Sequence, residues 1–383
     1  MHLGFISPEY PHPKVKRNAG IGSAVAQLTQ ALVAQGVEVS VFIYGQTEDQ
    51  VLEASGVKLH LIAQRKYMVG GWYLYRKFLQ RYVNKRVLLE KIDALEAPDW
   101  TGITAFARFK CPLVIRLHGS DAYFCHLDGR SQKKKNRWFE KNALEGADAI
   151  LSVSQFCAQL TQDIFGIERS ITVIPNGVEL PEQIHTEANQ SAPLLFYFGS
   201  IIRKKGVLEL PGILDKVLQD HPDCQMVLAG KDTTDVQTGK STLELLNDLW
   251  TPKAKSQVEY LGMLNKEEVH SWLRKATVVL LPSYAEAMPM AWLEAMAEGK
   301  ALVTSDIGWA AEVMEQGVTG YMAPPQDHAQ WARSINTLLD DAELRKEMGI
   351  AAREQIKTHF EITQVAQKSK EYYQSLIASH ERV

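Results

Sequence analysis

A chain of 383 residues, 45% hydrophobic, exceeds the size at which a single core keeps growing, so two domains of about 180 residues each are expected. A net charge of −3 gives no ground for nucleic acid as the main partner, and no apolar run reaches the roughly 18 residues of a membrane span. Cys111, Cys125, Cys157 and Cys224 form no C-x-x-C pair and no His stands at zinc-finger spacing, which argues against a disulfide framework or structural metal and suits a reducing cytoplasm.

From the N-terminus, MHLGFISPEYP has no basic n-region and too short an apolar stretch for a signal peptide, so a cytoplasmic location is expected. HLGFIS (2–7) reads as a short buried strand. A polar loop with Gly20 and Gly22 follows, then an apolar-periodic helix over 24–36 and a strand VEVSVFIYG (37–45). Strand, helix, strand at this spacing is a βαβ unit. NAGIGSAV (18–25) is not a dinucleotide fingerprint, because Val25 stands where the third small residue belongs and the second strand ends in Tyr44-Gly45 without an acidic ribose ligand.

The segment 65–91 carries eight Lys+Arg, one Glu and six aromatics. Two readings stay open: a face for a polyanionic acceptor or an anionic membrane, or an amphipathic helix with an aromatic core side and a solvated basic side. KKKNR (133–137) reads as a solvated loop that adds to the same field, and residues 1–180 hold 22 Lys+Arg against 17 Asp+Glu. EAPDW (96–100) closes a strand, making Glu96 and Trp100 candidate acceptor contacts, with Asp121 of HGSD (118–121) a third. Further strands at CPLVIRLHG (111–119), DAILSVS (148–154) and ITVIPNG (171–177) complete one doubly wound domain.

The polar stretch 179–193 reads as a linker, after which the alternation restarts. Strands are expected at 194–199, 224–230, 258–264, 276–283 and 300–306, and 362–380 reads as a terminal helix. TDVQTGKST (234–242) ends like a P-loop but has Thr234 where its first glycine is needed. The fold class is therefore α/β with two Rossmann-like doubly wound domains, and the site is expected in the crevice between them, beyond the carboxyl ends of the strands.

SYAEAMPMAWLEAMAEG (283–299) sets Glu286 in the loop after a strand and Pro289 in the first turn of a helix. The Met290 and Ala291 amides would then lie unpaired at a positive helix end, which is an anion site. Glu294 lies roughly 7 Å further along the helix axis, so two carboxylates bracket the anion site. A central phosphate with a hydroxylated ring at each end describes a nucleotide sugar. The same spacing also describes an ordinary amphipathic helix with both glutamates solvated.

The E-x7-E spacing and the following AMAEGKALVTSDIGWAAEVMEQGVTGYMAPPQD, together with Gly20 and Gly22, HGSD, IPNGVE (174–179) and FGSIIRKKG (198–206), resemble the retaining GT-B glycosyltransferases of family 4 over nearly the whole chain. The resemblance implies a GT-B fold whose domains face across a cleft, with residues 1–180 binding the acceptor, 190–360 the donor, and 361–383 a helix crossing back to the first domain. It implies that Glu294 holds the ribose hydroxyls and Glu286 the sugar hydroxyls, neither being a general base, that Lys205 meets the diphosphate, and that His118 contacts the transferred sugar near the reacting carbon. Gly20, Gly22, Gly199, Met288, Pro289, Met290 and Ala291 would complete the donor site. One departure is Ser200, where the family often has arginine directly after the glycine; Arg203 in the same loop is the candidate substitute.

The implied reaction moves a sugar from a UDP- or GDP-type donor to a hydroxyl acceptor in polysaccharide, glycolipid or natural-product assembly, with no cofactor and no metal. The enzyme would be cytoplasmic, with peripheral contact at the inner face of an anionic membrane as an option. A nucleotide-sugar epimerase or hydrolase on the same fold, and a non-catalytic binding member, are the alternatives.

Overall fold

Strand and helix alternate along the chain in the computed structural model, which describes residues 1–182 and 192–380. Residues 183–191 of the expected linker therefore lie outside the described residues. Two compact units form, one of Met1–Gly177 with Phe360–Val383, the other of Val178–His359.

The first unit holds strands β1 (His2–Ser7), β2 (Glu38–Gln46), β3 (Gln50–Ala54), β4 (Val57–Ala63), β5 (Ala94–Pro98), β6 (Leu113–Leu117), β7 (Ala149–Ser152) and β8 (Thr172–Val173). They form one sheet in the order β3-β4-β2-β1-β5-β6-β7-β8, parallel throughout except that β3 runs antiparallel to β4. Every residue of β1, β5 and β6 is buried, as expected of parallel strands with helices on both faces. The β3–β4 hairpin was not expected. Its turn, Ser55-Gly56, takes positive φ at both residues, the two-residue connection whose twist matches that of the strands it joins.

The first helix runs from Gly20 to Ala34, so it begins four residues before the expected start at 24. Gly20 and Gly22 are therefore the first turn of a helix and not a loop; glycine and serine give no apolar period for a sequence reading to detect. The terminal helix Ile362–His380 packs against this unit, with Val365, Ala366 and Tyr373 in a core shared with Phe5, Leu28, Leu32 and Val114.

A buried ion pair ties that helix to the sheet. Arg116 on β6 donates from Nε to both oxygens of Glu96 on β5, at 2.9 and 3.0 Å, and from Nη1 to the Ile174 carbonyl at 3.1 Å. The Tyr373 hydroxyl, from the terminal helix, donates to Glu96 Oε2. A charge pair removed from water needs such extra hydrogen bonds to be tolerated.

The second unit is a six-stranded sheet of β9 (Leu194–Phe198), β10 (Gln225–Ala229), β11 (Val258–Tyr260), β12 (Val278–Leu281), β13 (Leu302–Ser305) and β14 (Tyr321–Ala323), all parallel, in the order β11-β10-β9-β12-β13-β14. The winding direction reverses at β9, which has β10 on one side and β12 on the other. In the first unit it reverses at β1, between β2 and β5. Among the described residues no helix is long and apolar enough to cross a membrane.

Tyr373→Phe removes a hydrogen bond to a buried charge, and we expect it to lower unfolding stability by about 1.5–3 kcal/mol. A denaturant midpoint unchanged from wild type would show that the hydroxyl does not support the buried pair.

Candidate functional site

In the second unit, the loops leaving β9 and β12 are joined at the reversal point. The Tyr284 and Ala285 amides donate to the Lys204 carbonyl at 2.8 and 3.3 Å. Gly206 sits at φ 71°, where a Cβ would lie 1.8 Å from the Pro282 carbonyl oxygen, so only glycine allows the loops this close. The clamp brings together Lys205, in the turn Arg203–Lys205, and Glu286, which is 8% exposed. Lys205 Nζ pairs with Glu286 Oε1, and Ser283 Oγ donates to the same oxygen at 2.9 Å.

The helix after this loop runs from Met290 to Ala297. Pro289 is its N-cap, at φ −78° and ψ 104°, and not the first-turn residue that the sequence suggested. Met290 and Ala291 thus lead the helix, where amides have no carbonyl partner within it, and the first turn holds no acidic residue. Met288 is buried beside them. Glu294 is half-buried one turn on, and desolvation raises its carboxyl above the ordinary range against the pull of His270, Lys266 and Lys205.

Gly199 ends β9 at φ 138°, with only the Tyr197 ring near its missing side chain. Arg203 is engaged elsewhere. Its Nε and Nη2 make a fork onto Asp235 at 2.8 and 3.0 Å, and the fully buried Asp235 also accepts from Thr238. The Glu286 loop has a further support, because the Tyr284 hydroxyl donates to Glu209 Oε1 at 2.8 Å while His328 Nε2 meets Glu209 Oε2 at 2.7 Å. Sequence reading missed Glu209 and His328, which carry no motif, and Asp235, which sits in the P-loop-like TDVQTGKST but serves no P-loop; they lie 32 to 119 positions from their partners.

In the first unit, candidate residues again follow strand ends. Gly22 packs on the backbone of Glu9 and Tyr10, where an added Cβ would approach to 3.1 Å. His118 follows β6, and its amide donates to Asp99 Oδ1 at 3.0 Å. Desolvation, with help from the Arg116 charge, pushes the His118 ring down to about 3, so it is neutral near pH 7. His118, Glu96, Arg116, Pro175, Asn176 and Gly177 line a small hollow beside the helix Gly20–Ala34.

The acceptor candidates have partners of their own. Glu96 is committed to Arg116 and Tyr373. Asp121 accepts from Gln132 at 3.3 Å and Asn136 at 3.1 Å and faces Arg130 at 3.6 Å. Trp100 is half-buried, edge-on to Phe124. Two buried carboxylates went unnoticed in the sequence. Glu140 accepts from the Asp121 and Ala122 amides, closing the start of the helix Asp121–Leu127. Asp99 is 1% exposed, and burial raises its carboxyl to about 8. A signal for Asp99 was present, since it is the acidic residue just past the end of β5. No group of three His, Cys, Asp or Glu side chains among the described residues is placed to hold a metal ion.

The model of the glycosyl transferases group 1 family matches residues 182–355, and that of glycosyltransferase family 4 matches 19–182. The chain is 26% identical to a glycogen synthase of Mycobacterium tuberculosis, over 97% of this chain and 94% of that protein. Among solved structures it resembles a sucrose-phosphate synthase from Thermosynechococcus elongatus, with a TM-score of 0.78 at 19% identity, covering 99% of both chains. It also resembles Anabaena Alr3699/HepE in complex with UDP and glucose, with a TM-score of 0.74 at 18% identity, covering 97% of this chain and 99% of that one. At these identities the likeness is one of fold.

A carboxyl raised by folding stabilises the protein below its unfolded value near 4, and that contribution is lost as pH rises through about 8. Asp99→Asn cannot ionise, yet its amide oxygen can still accept from the His118 amide. The variant should therefore gain melting temperature relative to wild type as pH rises from about 5 to 9. A difference that stays constant over that range would show that Asp99 is ionised in the folded protein.

Proposed function

Because this chain belongs to the group 1 glycosyltransferases of the GT-B type, we propose that it moves a sugar from a nucleoside diphosphate sugar to a hydroxyl acceptor, with retention of anomeric configuration and without a metal. The observation that carries this reading is the clamp between the loops after β9 and β12, which sets Lys205, Glu286, the helix start at Met290 and Glu294 in one place. The UDP and glucose in the similar Anabaena structure support a uridine donor.

In this reading each group has a separate task. Lys205 and the Met290 and Ala291 amides stabilise the charge that builds on the departing diphosphate, a large effect when the donors are already in position. Glu286 pre-places the Lys205 ammonium and offers its carboxylate to sugar hydroxyls. Glu294 accepts hydrogen bonds from the ribose hydroxyls, and those bonds replace the water it lost on burial. His118, kept neutral, serves the sugar as a hydrogen-bonding ring and does not compete as a cation for the diphosphate.

Arg203 shapes the loop through Asp235, which leaves Lys205 as the diphosphate cation. With no protein acid or base at the reacting carbon, the acceptor hydroxyl attacks on the leaving-group face as the sugar–phosphate bond breaks and its proton passes to the departing diphosphate oxygen, so rate comes from charge stabilisation and positioning. The first unit supplies acceptor contacts, and polysaccharide, glycolipid or natural-product acceptors all suit a hydroxyl nucleophile.

Glu294→Ala should weaken binding of UDP-glucose by about 1.5–3 kcal/mol, because two hydroxyls lose a charged acceptor. Isothermal calorimetry measures this, and wild-type affinity in the variant would remove Glu294 from the donor site. Lys205→Ala should cut kcat far more than it raises KM, since its contact strengthens as charge leaves the sugar. Activity lost in EDTA and restored by magnesium or manganese would contradict the metal-free mechanism.

A further inference from the structure

Exposed apolar side chains are concentrated at one place on the first unit. Of the sixteen large hydrophobics exposed among the described residues, Tyr67, Met68, Val69, Trp72, Tyr73, Leu74 and Trp138 lie there. Met68 and Val69, at 105% and 82% exposure, form the tip of the loop between β4 and the helix Gly71–Glu90. Behind the tip, Trp72 lies 5.1 Å from Phe139 and 6.0 Å from Trp138, and Phe106 lies 4.7 Å from Trp138. Phe106 itself is held at φ 62°, a backbone conformation that bulky residues rarely adopt.

Around this apolar surface basic side chains predominate, although Arg65 pairs with Asp49 and Arg130 with Asp121 and Asp128. The three segments that build it, 65–77, 101–110 and 130–139, hold eleven Lys+Arg and no Asp or Glu. The structure also corrects which of these charges face outward. Arg76 donates to the carbonyls of Trp72, Thr101 and Gly102, and Lys77 to that of Phe106, so both are used in fixing the aromatic cluster. Lys66, Arg108, Lys110, Lys133, Lys134 and Lys135 are exposed, with Lys135 Nζ 5.3 Å over the Trp72 ring.

We propose that this face docks on an anionic lipid bilayer, with Met68, Val69 and the Trp72, Tyr73 and Trp138 rings entering the interface and the lysines meeting lipid headgroups. Aromatic rings with a polar edge favour the headgroup level, and exposed aliphatic tips gain by leaving water only where hydrocarbon receives them. A soluble polyanion would answer the lysines but leave Met68 and Val69 in water. A second copy would set the exposed Lys66, Arg108, Lys110, Lys133, Lys134 and Lys135 against the same residues, which like-charge repulsion opposes. This inference stands apart from the donor chemistry, because none of its residues is assigned to donor binding.

The test is co-sedimentation of the full chain with phosphatidylcholine vesicles, with and without phosphatidylglycerol, at low and high salt. Binding should require phosphatidylglycerol and fall as salt rises. Met68→Asp with Val69→Asp should abolish it, while melting temperature and calorimetric affinity for UDP-glucose stay at wild-type values. Lys133→Gln, Lys134→Gln and Lys135→Gln together should weaken it more than tenfold, given about fivefold for each charge near an anionic surface. The proposal is overturned if wild-type protein ignores anionic vesicles at low salt, or if both variants bind as wild type does. It is also overturned if light scattering shows a dimer that the Met68 and Val69 changes dissolve, since a second copy would then occupy the face.

Discussion

The constraint on which this structure depends is geometric: in a parallel sheet every strand ends on the same edge. Each crossover must return behind the sheet, and where strand order reverses, successive crossovers leave to opposite faces and a gap opens between their first turns. The reversals fall at β1 and at β9. The second unit's candidate residues follow β9 and β12, and the first unit's follow β1, β5 and β6, except Glu96, which lies within β5. Residues distant in sequence, such as Lys205 and Glu286, become neighbours because their strands are hydrogen-bonded side by side.

Having brought charges together at these edges, the fold has to keep them tolerable. It does so by pairing them. Glu286 meets Lys205 and Ser283, Asp235 meets Arg203 and Thr238, and Glu96 meets Arg116 and Tyr373. Where no cation is paired directly with a buried carboxyl, its proton affinity rises, as at Asp99 and Glu294. The two outcomes differ in proton affinity and not in role, since the paired Glu286 and the unpaired Glu294 both fall in the proposed donor site. Asp235 and Glu96 hold a loop and a helix in place through their partners, while Glu294 is half-buried with its proton affinity raised by desolvation.

Much of this was legible in the sequence, because short apolar runs such as HLGFIS, LLFYF and VVLL suit buried strands and the family segments stand in order around them. What was missed has physical causes. In the β3–β4 hairpin only β3 is a half-exposed edge, and its QVLEA holds no buried run, whereas β4 is mostly buried and the Ser-Gly turn between them was the stronger sign. The helix start at Gly20 lies four residues before the expected one and that at Met290 one residue after it, because capping geometry is decided by local dihedrals and not by apolar period. The supports contributed by Tyr373, Glu209 and Asp235 depend on contacts across the fold, which a linear pattern does not encode. The basic stretch 65–91 admits two readings, a face for an anionic partner or an amphipathic helix with a solvated basic side, and neither places Arg76 and Lys77, which turn inward to backbone carbonyls, while much of the outward charge comes from segments further along the chain.

The proposed donor site is the pair of clamped loops after β9 and β12. Amide hydrogen exchange on the full chain, with and without UDP-glucose, tests it most directly, since bound phosphate and hydroxyls would hold the local amides closed. The account predicts slower exchange confined in the second unit to residues 199–206 and 283–294. Unchanged exchange in both loops, at a UDP-glucose concentration where calorimetry detects binding, would contradict it.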